Sequence, residues 1–530
     1  MVPSLTATAL FSLLILLSPV LSLNSASSFS SPHRPPPPSS RNAGVPSGGS
    51  SNGFLSILRT TLDEIQKVAG VVSTFSGGSF GGDLRLSSAI SDCLDLLDLS
   101  SDELSWTISS SGGGGSVSNS GTGDHHADFR SWLSGAIGNQ DTCKESLSST
   151  GSLLASLASE GLDSITSLLS EGIRQLPAAA DAGGGWRRHL SQFPNWVSSA
   201  DRRALQSVGL KPDVTVAKDG SGNYTTVTAA VMAAPEESSR RFVIYVKRGF
   251  YLENVEIKKK KWNLMIVGDG MQSTVISGSR NFVDGWTTFR SATFAVSGKG
   301  FIARDITFEN TAGAAKHQAV ALRSDSDLSV YYRCGMRGYQ DTLYAHSLRQ
   351  FYRDCRIAGT VDYVFGNAAA VFQNCQVVSR LALPNQKNTI TAQGRKVPYQ
   401  NTGFVFQFCN ITADADFANA TAANRTATLT FLGRPWMQYS RTAFMQSYLG
   451  SLIRPEGWLP WNGDFALSTL YYAEYMNFGP GSAVGGRVKW SGFHVINSSV
   501  QAANFTVAQF IDGNLWLPST GVKYTAGLMM

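Results

Sequence analysis

Four cysteines constrain this chain more than any other feature. Each follows an aromatic–polar pair: Tyr332-Arg333-Cys334, Tyr352-Arg353-Asp354-Cys355, Phe372-Gln373-Asn374-Cys375 and Phe406-Gln407-Phe408-Cys409. The first three cysteines lie 21 and 20 residues apart, and the fourth 34 further on. A period near 21 without helical patterning predicts a parallel β-helix, one turn of three short strands per repeat. The longer last interval predicts a turn carrying a protruding loop. Short β-rich runs bounded by Gly, Asn and Asp fit this reading: Phe242–Val246, Leu264–Val267, Phe294–Val296 and Ala319–Leu322. Tandem βαβ units would need strong helical patterns between the repeats, and none is present. Neighbouring coils stack about 4.8 Å apart, so Cys334, Cys355 and Cys375 form a ladder close enough to bridge. Both Cys334–Cys355 and Cys355–Cys375 are open to it; the second is the expectation taken forward.

Ahead of Pro212 the texture differs. With 530 residues there is room for two or three domains. Residues 1–23 hold no side-chain charge and an apolar run too short to span a bilayer, which reads as a secretory signal peptide. Residues 24–53 form a low-complexity Ser/Pro/Gly linker. Residues 54–180 carry four apolar stripes at helical spacing: Leu55, Leu58, Leu62, Ile65 and Val68; Ile90, Cys93, Leu94 and Leu97; Trp132, Leu133 and Ile137; Leu153, Leu154, Leu157, Ile165 and Leu168. They predict an up-and-down four-helix bundle. Cys93 and Cys143 are the only cysteines there, and export pairs them, tying the second helix to the third. Six N-x-[ST] sequons, at Asn223, Asn410, Asn419, Asn424, Asn497 and Asn504, accord with export.

A connector at 181–205 holds two dibasic pairs, Arg187-Arg188 and Arg202-Arg203, expected sites of proteolytic processing. It is also a charge boundary. Residues 1–205 hold 12 Lys+Arg against 17 Asp+Glu, a balance of −5; residues 206–530 hold 32 against 21, a balance of +11. The halves attract, and the basic one, once free, suits a polyanion.

The 21-residue register also gathers polar groups. Gln340 comes 22 residues after Gln318, with Asp341 beside it, and Asp362 comes 21 after Asp341. Two carboxylates and two amides thus share one face, flanked by Tyr339, Leu343, Tyr344, Tyr363, Val364 and Phe365. Close carboxylates in a partly dry cleft cannot both ionise freely, so an acid and a carboxylate coexist near neutral pH. A glycosidase uses such a pair, and so does an esterase with a carboxylate nucleophile. The amide donors favour the esterase, because acyl transfer forms an oxyanion. No Ser of residues 206–530 stands in a G-x-S-x-G elbow, and no metal-ligand motif, P-loop or nucleic-acid motif is present.

These residues resemble the plant pectin methylesterases that carry an inhibitor-like pro-region. The resemblance rests on Gly249-Phe250-Tyr251-Leu252-Glu253, Gln318 to Arg323, Gly338-Tyr339-Gln340-Asp341-Thr342-Leu343-Tyr344, Gly359-Thr360-Val361-Asp362-Tyr363-Val364-Phe365-Gly366 and Leu432-Gly433-Arg434-Pro435-Trp436. In the front half it rests on Ala89 to Leu97, Asp128 to Leu133 and Asn139 to Cys143. It implies a right-handed parallel β-helix catalytic domain over 206–530 and an inhibitor-like pro-domain over 54–180, autoinhibitory until cleaved. It implies hydrolysis of C6 methyl esters of homogalacturonan (pectin) to pectate and methanol without a cofactor, in a secreted protein of the plant cell wall. By the same resemblance Asp362 is the nucleophile, Asp341 the acid/base and Gln318 and Gln340 the oxyanion hole. Arg434 orients Asp362; Thr288, Tyr344, Phe365 and Trp436 contact substrate. Pectin, the chain's own pro-domain, proteinaceous inhibitors and subtilisin-like processing proteases are the implied partners. The rival readings are a non-catalytic pectin-binding solenoid and a pro-domain that inhibits other esterases in trans. Where inhibitor domains carry two disulfides, this chain has only the pair at Cys93 and Cys143. The dibasic sites read Arg-Arg-His-Leu and Arg-Arg-Ala-Leu rather than Arg-Arg-Leu-Leu, and Tyr363 and Val364 stand for the family's Phe and Ile.

Overall fold

The computed structural model describes residues 49–76, 82–111, 121–177 and 211–529. The described residues lie in one unit, Gly49–Met530. The expected signal peptide, nearly all of the linker and the dibasic connector lie outside the described residues.

Four helices, α1 (Gly49–Thr74), α2 (Leu84–Ser111), α3 (His125–Ser148) and α4 (Leu153–Gln175), form the N-terminal part. Helix α1 begins inside the stretch read as linker. Asp124 caps α3, its side chain accepting from the amides of His126 and Ala127. The apolar stripes face one core, which contains Leu58, Ile65, Ile90, Leu97, Leu133 and Ile137. On α4 the buried face runs through Leu154, Ala158, Leu162, Ile165, Leu169 and Ile173. Leu153 and Leu157, expected on that face, are 71% and 52% exposed. Each sits one position off the 3.6-residue stripe that Leu154 and Ala158 follow. Cys93 and Cys143 form the expected disulfide between α2 and α3. No described helix is long and apolar enough to cross a membrane.

The remainder winds into coils of three short strands. The described strands make parallel sheets of eleven, eight and seven members. Successive coils pair in register: Leu322 with Leu343, Leu343 with Val364, and Tyr352 with Phe372. Phe242–Val246 and Phe294–Val296 are strands as expected, whereas the strand expected over Ala319–Leu322 starts at Leu322 and runs to Ser324. Inside the coil, Tyr331, Tyr352, Phe372, Phe406 and Phe444 stack with centroids 4.5 to 4.7 Å apart. Each aromatic pair is worth about 0.5–1.5 kcal/mol beyond its burial. The corner after each repeat needs a left-handed residue. Arg333, Asp354, Asn374 and Phe408, one before each cysteine, take φ between 51° and 57°.

The cysteine ladder forms, but the expected Cys355–Cys375 bridge does not. Cys334, Cys355, Cys375 and Cys409 are free, buried thiols. On coils in register the Cα–Cβ bonds run parallel rather than toward one another, which a disulfide does not accept. The thiols instead donate to core-facing carbonyls, Cys355 to Tyr331 O at 3.2 Å and Cys409 to Phe372 O at 3.2 Å. Thiol titration under denaturing, non-reducing conditions is therefore expected to count four reactive groups per chain. A count of two would restore the expected bridge.

Candidate active site

The register that stacks the core also stacks the polar face. Asp341 and Asp362 each stand two residues ahead of paired strand residues, Leu343 and Val364. Backbone bonds bind their turns: Ala319 N donates to Gln340 O at 3.3 Å, and Asp341 N to Val361 O at 3.0 Å. Both aspartates are left-handed, with φ of 60° and 51°. Asp tolerates this conformation better than most residues, and such backbone gathers at functional sites.

Asp362 is 5% exposed and held from several sides. Arg434 forks onto it, Nε donating to Oδ1 at 2.8 Å and Nη2 to Oδ2 at 2.5 Å. The Thr389 hydroxyl donates to Oδ1 at 2.6 Å and accepts from the Asp362 amide at 2.9 Å. Asp341, 7% exposed, has no such clamp. Burial pushes its carboxyl well above the ordinary carboxylate range; the charges of Asp362 and Glu145 push the same way, and Arg434 opposes them. The pair is thus one carboxyl gripped by a guanidinium beside one whose charged form burial disfavours.

Aromatic rings line the same face. Tyr344 and Phe365 stack at 4.1 Å, and Trp436 leans on them at 6.5 and 6.0 Å. Gly394 makes room for that indole: a Cβ there would stand 2.9 Å from it. Gln318 and Gln340 are half-buried on adjoining turns. Thr288 precedes the short turn Phe289–Ser291, whose Phe289 ring meets Tyr344 edge-on at 6.5 Å. Spacing and motifs in the sequence do not point to three further neighbours. Thr389 comes 27 residues after Asp362, outside the 21-residue period. Trp461 stacks under Arg434 at 4.3 Å. His346 lies two residues beyond Tyr344. The nearest available signal was the alternation that places 344 and 346 on one strand face. Among the described residues, no group of three or more His, Cys, Asp and Glu is placed to hold a metal ion.

The helical part lies on this face. Thr142 on α3 hydrogen-bonds His346 Nε2 at 2.9 Å and the Tyr344 hydroxyl at 3.3 Å. Phe289, Tyr344, Phe365 and Trp436 join the core of the bundle. Around them, acids of the helices meet bases of the coil. Asp92 takes Arg290 Nε at 2.7 Å, Asp98 and Asp102 take Lys259 at 2.8 Å, and Asp128 takes Arg349 at 2.8 Å. Asp95 pairs with Arg290, and Asp141 with Lys396. Asp92 and Arg349 are fully buried. Breaking such a pair from one side costs about 3–5 kcal/mol.

Comparison with known proteins gives this arrangement a context. A family model described as "Pectinesterase" matches residues 213–514. Another, "Plant invertase/pectin methylesterase inhibitor", matches residues 27–176. The chain is 61% identical over 477 residues to "Pectinesterase/pectinesterase inhibitor PPE8B" of Prunus persica, covering 90% of each. It is 55% identical over 496 residues to "Probable pectinesterase/pectinesterase inhibitor 44" of Arabidopsis thaliana, covering 90% of this chain and 93% of that protein. Among solved structures, pectin methylesterase from carrot aligns with a TM-score of 0.59 at 55% identity, covering 61% of this chain and 100% of its own. That share is about the length of the coiled part, and the solved carrot chain is aligned over its whole length.

The buried acids give the contact between helices and coil a pH dependence. Burial raises Asp92 and Asp141, and desolvation, followed by the charge of Asp141, pushes Glu145 up to about 7 although part of its side chain reaches solvent. Groups raised in the docked form bind protons on docking, so their contribution is full in acid and lost as pH climbs through the raised values. His346 opposes this, since burial holds it down to about 4. From about pH 7 it is largely neutral whether docked or free, and Lys299, held down to about 8 by burial beside Trp106, opposes the acids only towards pH 8. In a chain nicked within 178–210, retention of the helices on the coil, read by size-exclusion chromatography, is expected to fall from about pH 6.5 to 8. Glu145→Gln flattens the fall. Equal or tighter retention at the higher pH contradicts it.

Proposed function

This chain belongs to the pectinesterase family and carries an inhibitor-family domain ahead of the catalytic one; from that premise we propose that it demethylates homogalacturonan in the plant cell wall, with Asp362 as nucleophile. The observation that carries the reading is the Arg434 fork on Asp362 beside the buried carboxyl of Asp341, which burial pushes well above the ordinary carboxylate range.

The reaction follows from these groups. A C6 methyl-ester carbonyl enters the cleft, its sugar ring against Trp436 and the Tyr344–Phe365 stack, with Thr288 as a further contact. Asp362 is kept charged and aimed by the planar guanidinium of Arg434. It attacks the carbonyl carbon, and the π electrons move onto the carbonyl oxygen. Gln318 and Gln340 donate hydrogen bonds to that oxyanion. The electrons return, the bond to the methoxy oxygen breaks, and Asp341 gives its proton to the departing methanol. Now charged, Asp341 takes a proton from water, which attacks the acyl-enzyme. The galacturonic acid leaves and gives its proton to solvent as pectate, Asp362 is restored as a carboxylate and Asp341 is again an acid. The +11 balance of residues 206–530 suits this polyanionic product.

The helical domain keeps the enzyme silent. Thr142 occupies the cleft floor at Tyr344 and His346, where a sugar ring has to lie. The ion pairs to Asp92, Asp98, Asp102 and Asp128 hold the bundle there until the connector is cut. Methanol release from methylated pectin is the test. The 206–530 fragment is expected to be active, the intact chain silent, and Asp362→Ala in the fragment to fall by about 10⁴-fold or more. Near-parental release from Asp362→Ala would end the nucleophile assignment. Full activity of the intact chain would end the autoinhibition.

A further inference from the structure

We propose that Thr389 is a positioning residue for this reaction: its hydroxyl occupies Oδ1 of Asp362 and leaves Oδ2 as the attacking atom. The inference rests on the reading of Asp362 as nucleophile.

Thr389 belongs to the strand Asn388–Gln393 on the coil after Asp362. Its backbone is joined to the aspartate's turn twice: Thr389 N donates to Thr360 O at 3.2 Å, and Tyr363 N to Thr389 O at 3.3 Å. Between those two bonds lies Asp362, whose amide meets a side chain in place of a main-chain carbonyl. The Thr389 hydroxyl replaces the missing carbonyl by accepting that amide at 2.9 Å. The same hydroxyl directs its single proton to Oδ1 at 2.6 Å. One side chain therefore fixes both the main chain and the carboxylate of the nucleophile. Thr389 is 0% exposed, so bulk water cannot take over either bond.

The donors are unequally shared. Oδ1 receives Thr389 Oγ1 and Arg434 Nε, whereas Oδ2 receives Arg434 Nη2. A carboxylate oxygen has two in-plane lone pairs. Both are engaged on Oδ1, and one stays free on Oδ2. Attack by Oδ2 forms the new C–O bond without breaking a hydrogen bond, and attack by Oδ1 would break one. Neither Thr389 nor Arg434 loses a proton: the leaving methoxy oxygen takes that of Asp341, and water later returns it. As charge leaves Asp362 in the acyl-enzyme, the bonds on Oδ1 keep the group in place for the incoming water.

The experiment uses the 206–530 fragment, close in length to the solved carrot chain that aligns over 61% of this one. Thr389→Val keeps both backbone bonds and the side-chain volume and removes both hydroxyl bonds. Its kcat for methanol release is expected to fall on the order of 10–100-fold, with KM within about threefold of the parent. Thr389→Ser restores the hydroxyl and is expected to stay within about fivefold of the parent, whereas Thr389→Ala falls as Thr389→Val does. Should the Val variant fail to fold, the Ser and Ala pair makes the same comparison. Parental kcat in both hydroxyl-free variants overturns the proposal, as does an equal loss with Ser, or a loss carried by KM alone. Asp362→Ala separates the two levels. If it keeps turning over, the nucleophile reading fails, and the positioning role of Thr389 fails with it. If it is silent while Thr389→Val is parental, the positioning role fails by itself.

Discussion

Backbone hydrogen bonds between successive parallel coils hold every other feature in place. They make residue i of one coil the neighbour of residue i + 21 on the next, as Leu322, Leu343 and Val364 show. One ladder then serves three purposes. Its inward side chains become the stack of Tyr331, Tyr352, Phe372, Phe406 and Phe444. Its corners become a column of left-handed residues. Its outward turns bring Gln340 and Asp341 beside Asp362. Burial, with the neighbouring charge of Asp362 adding to it, pushes the Asp341 carboxyl well above the ordinary range, while Arg434 forks onto Asp362.

The same outward face explains the helical domain. A cleft that bares Tyr344, Phe365 and Trp436 leaves a sizeable apolar patch in water until something covers it. In the intact chain the bundle does so, and its core runs on into those rings. The charged rim around the patch then sets register and specificity. Asp92, fully buried against Arg290, makes the fit exacting, since without that arginine its charge would have no ion-pair partner in a dry contact. The proposed activity and its proposed restraint thus draw on one surface.

Much of this was legible in the sequence, for identifiable reasons. The cysteine spacing revealed the coil because a parallel ladder forces its period onto any residue type that fills one position. The four-helix pattern was legible through its apolar stripes, and the −5 and +11 halves foretold an attraction seen as acid-to-base pairs. Spacing failed where coils change length. Thr389 is 27 residues from Asp362 because the intervening coil carries an extra loop, so no fixed period points to it. The Cys355–Cys375 bridge failed for another reason. Spacing measures how near two residues come and says nothing of the direction of their Cβ atoms. Leu153 and Leu157 misled because in a leucine-rich helix the stripe can be drawn one position too early. Which acid meets which base depends on docking, which neither half encodes by itself.

The central claim is that the stacked pair works by forming a bond from Asp362 to the substrate carbonyl. Peptide mass mapping of the 206–530 fragment, acid-quenched during turnover of a methyl-esterified oligogalacturonide, tests it most directly. The account predicts an added mass equal to the substrate less methanol, on the peptide that carries Asp362. The same adduct on a peptide that lacks Asp362 would contradict it.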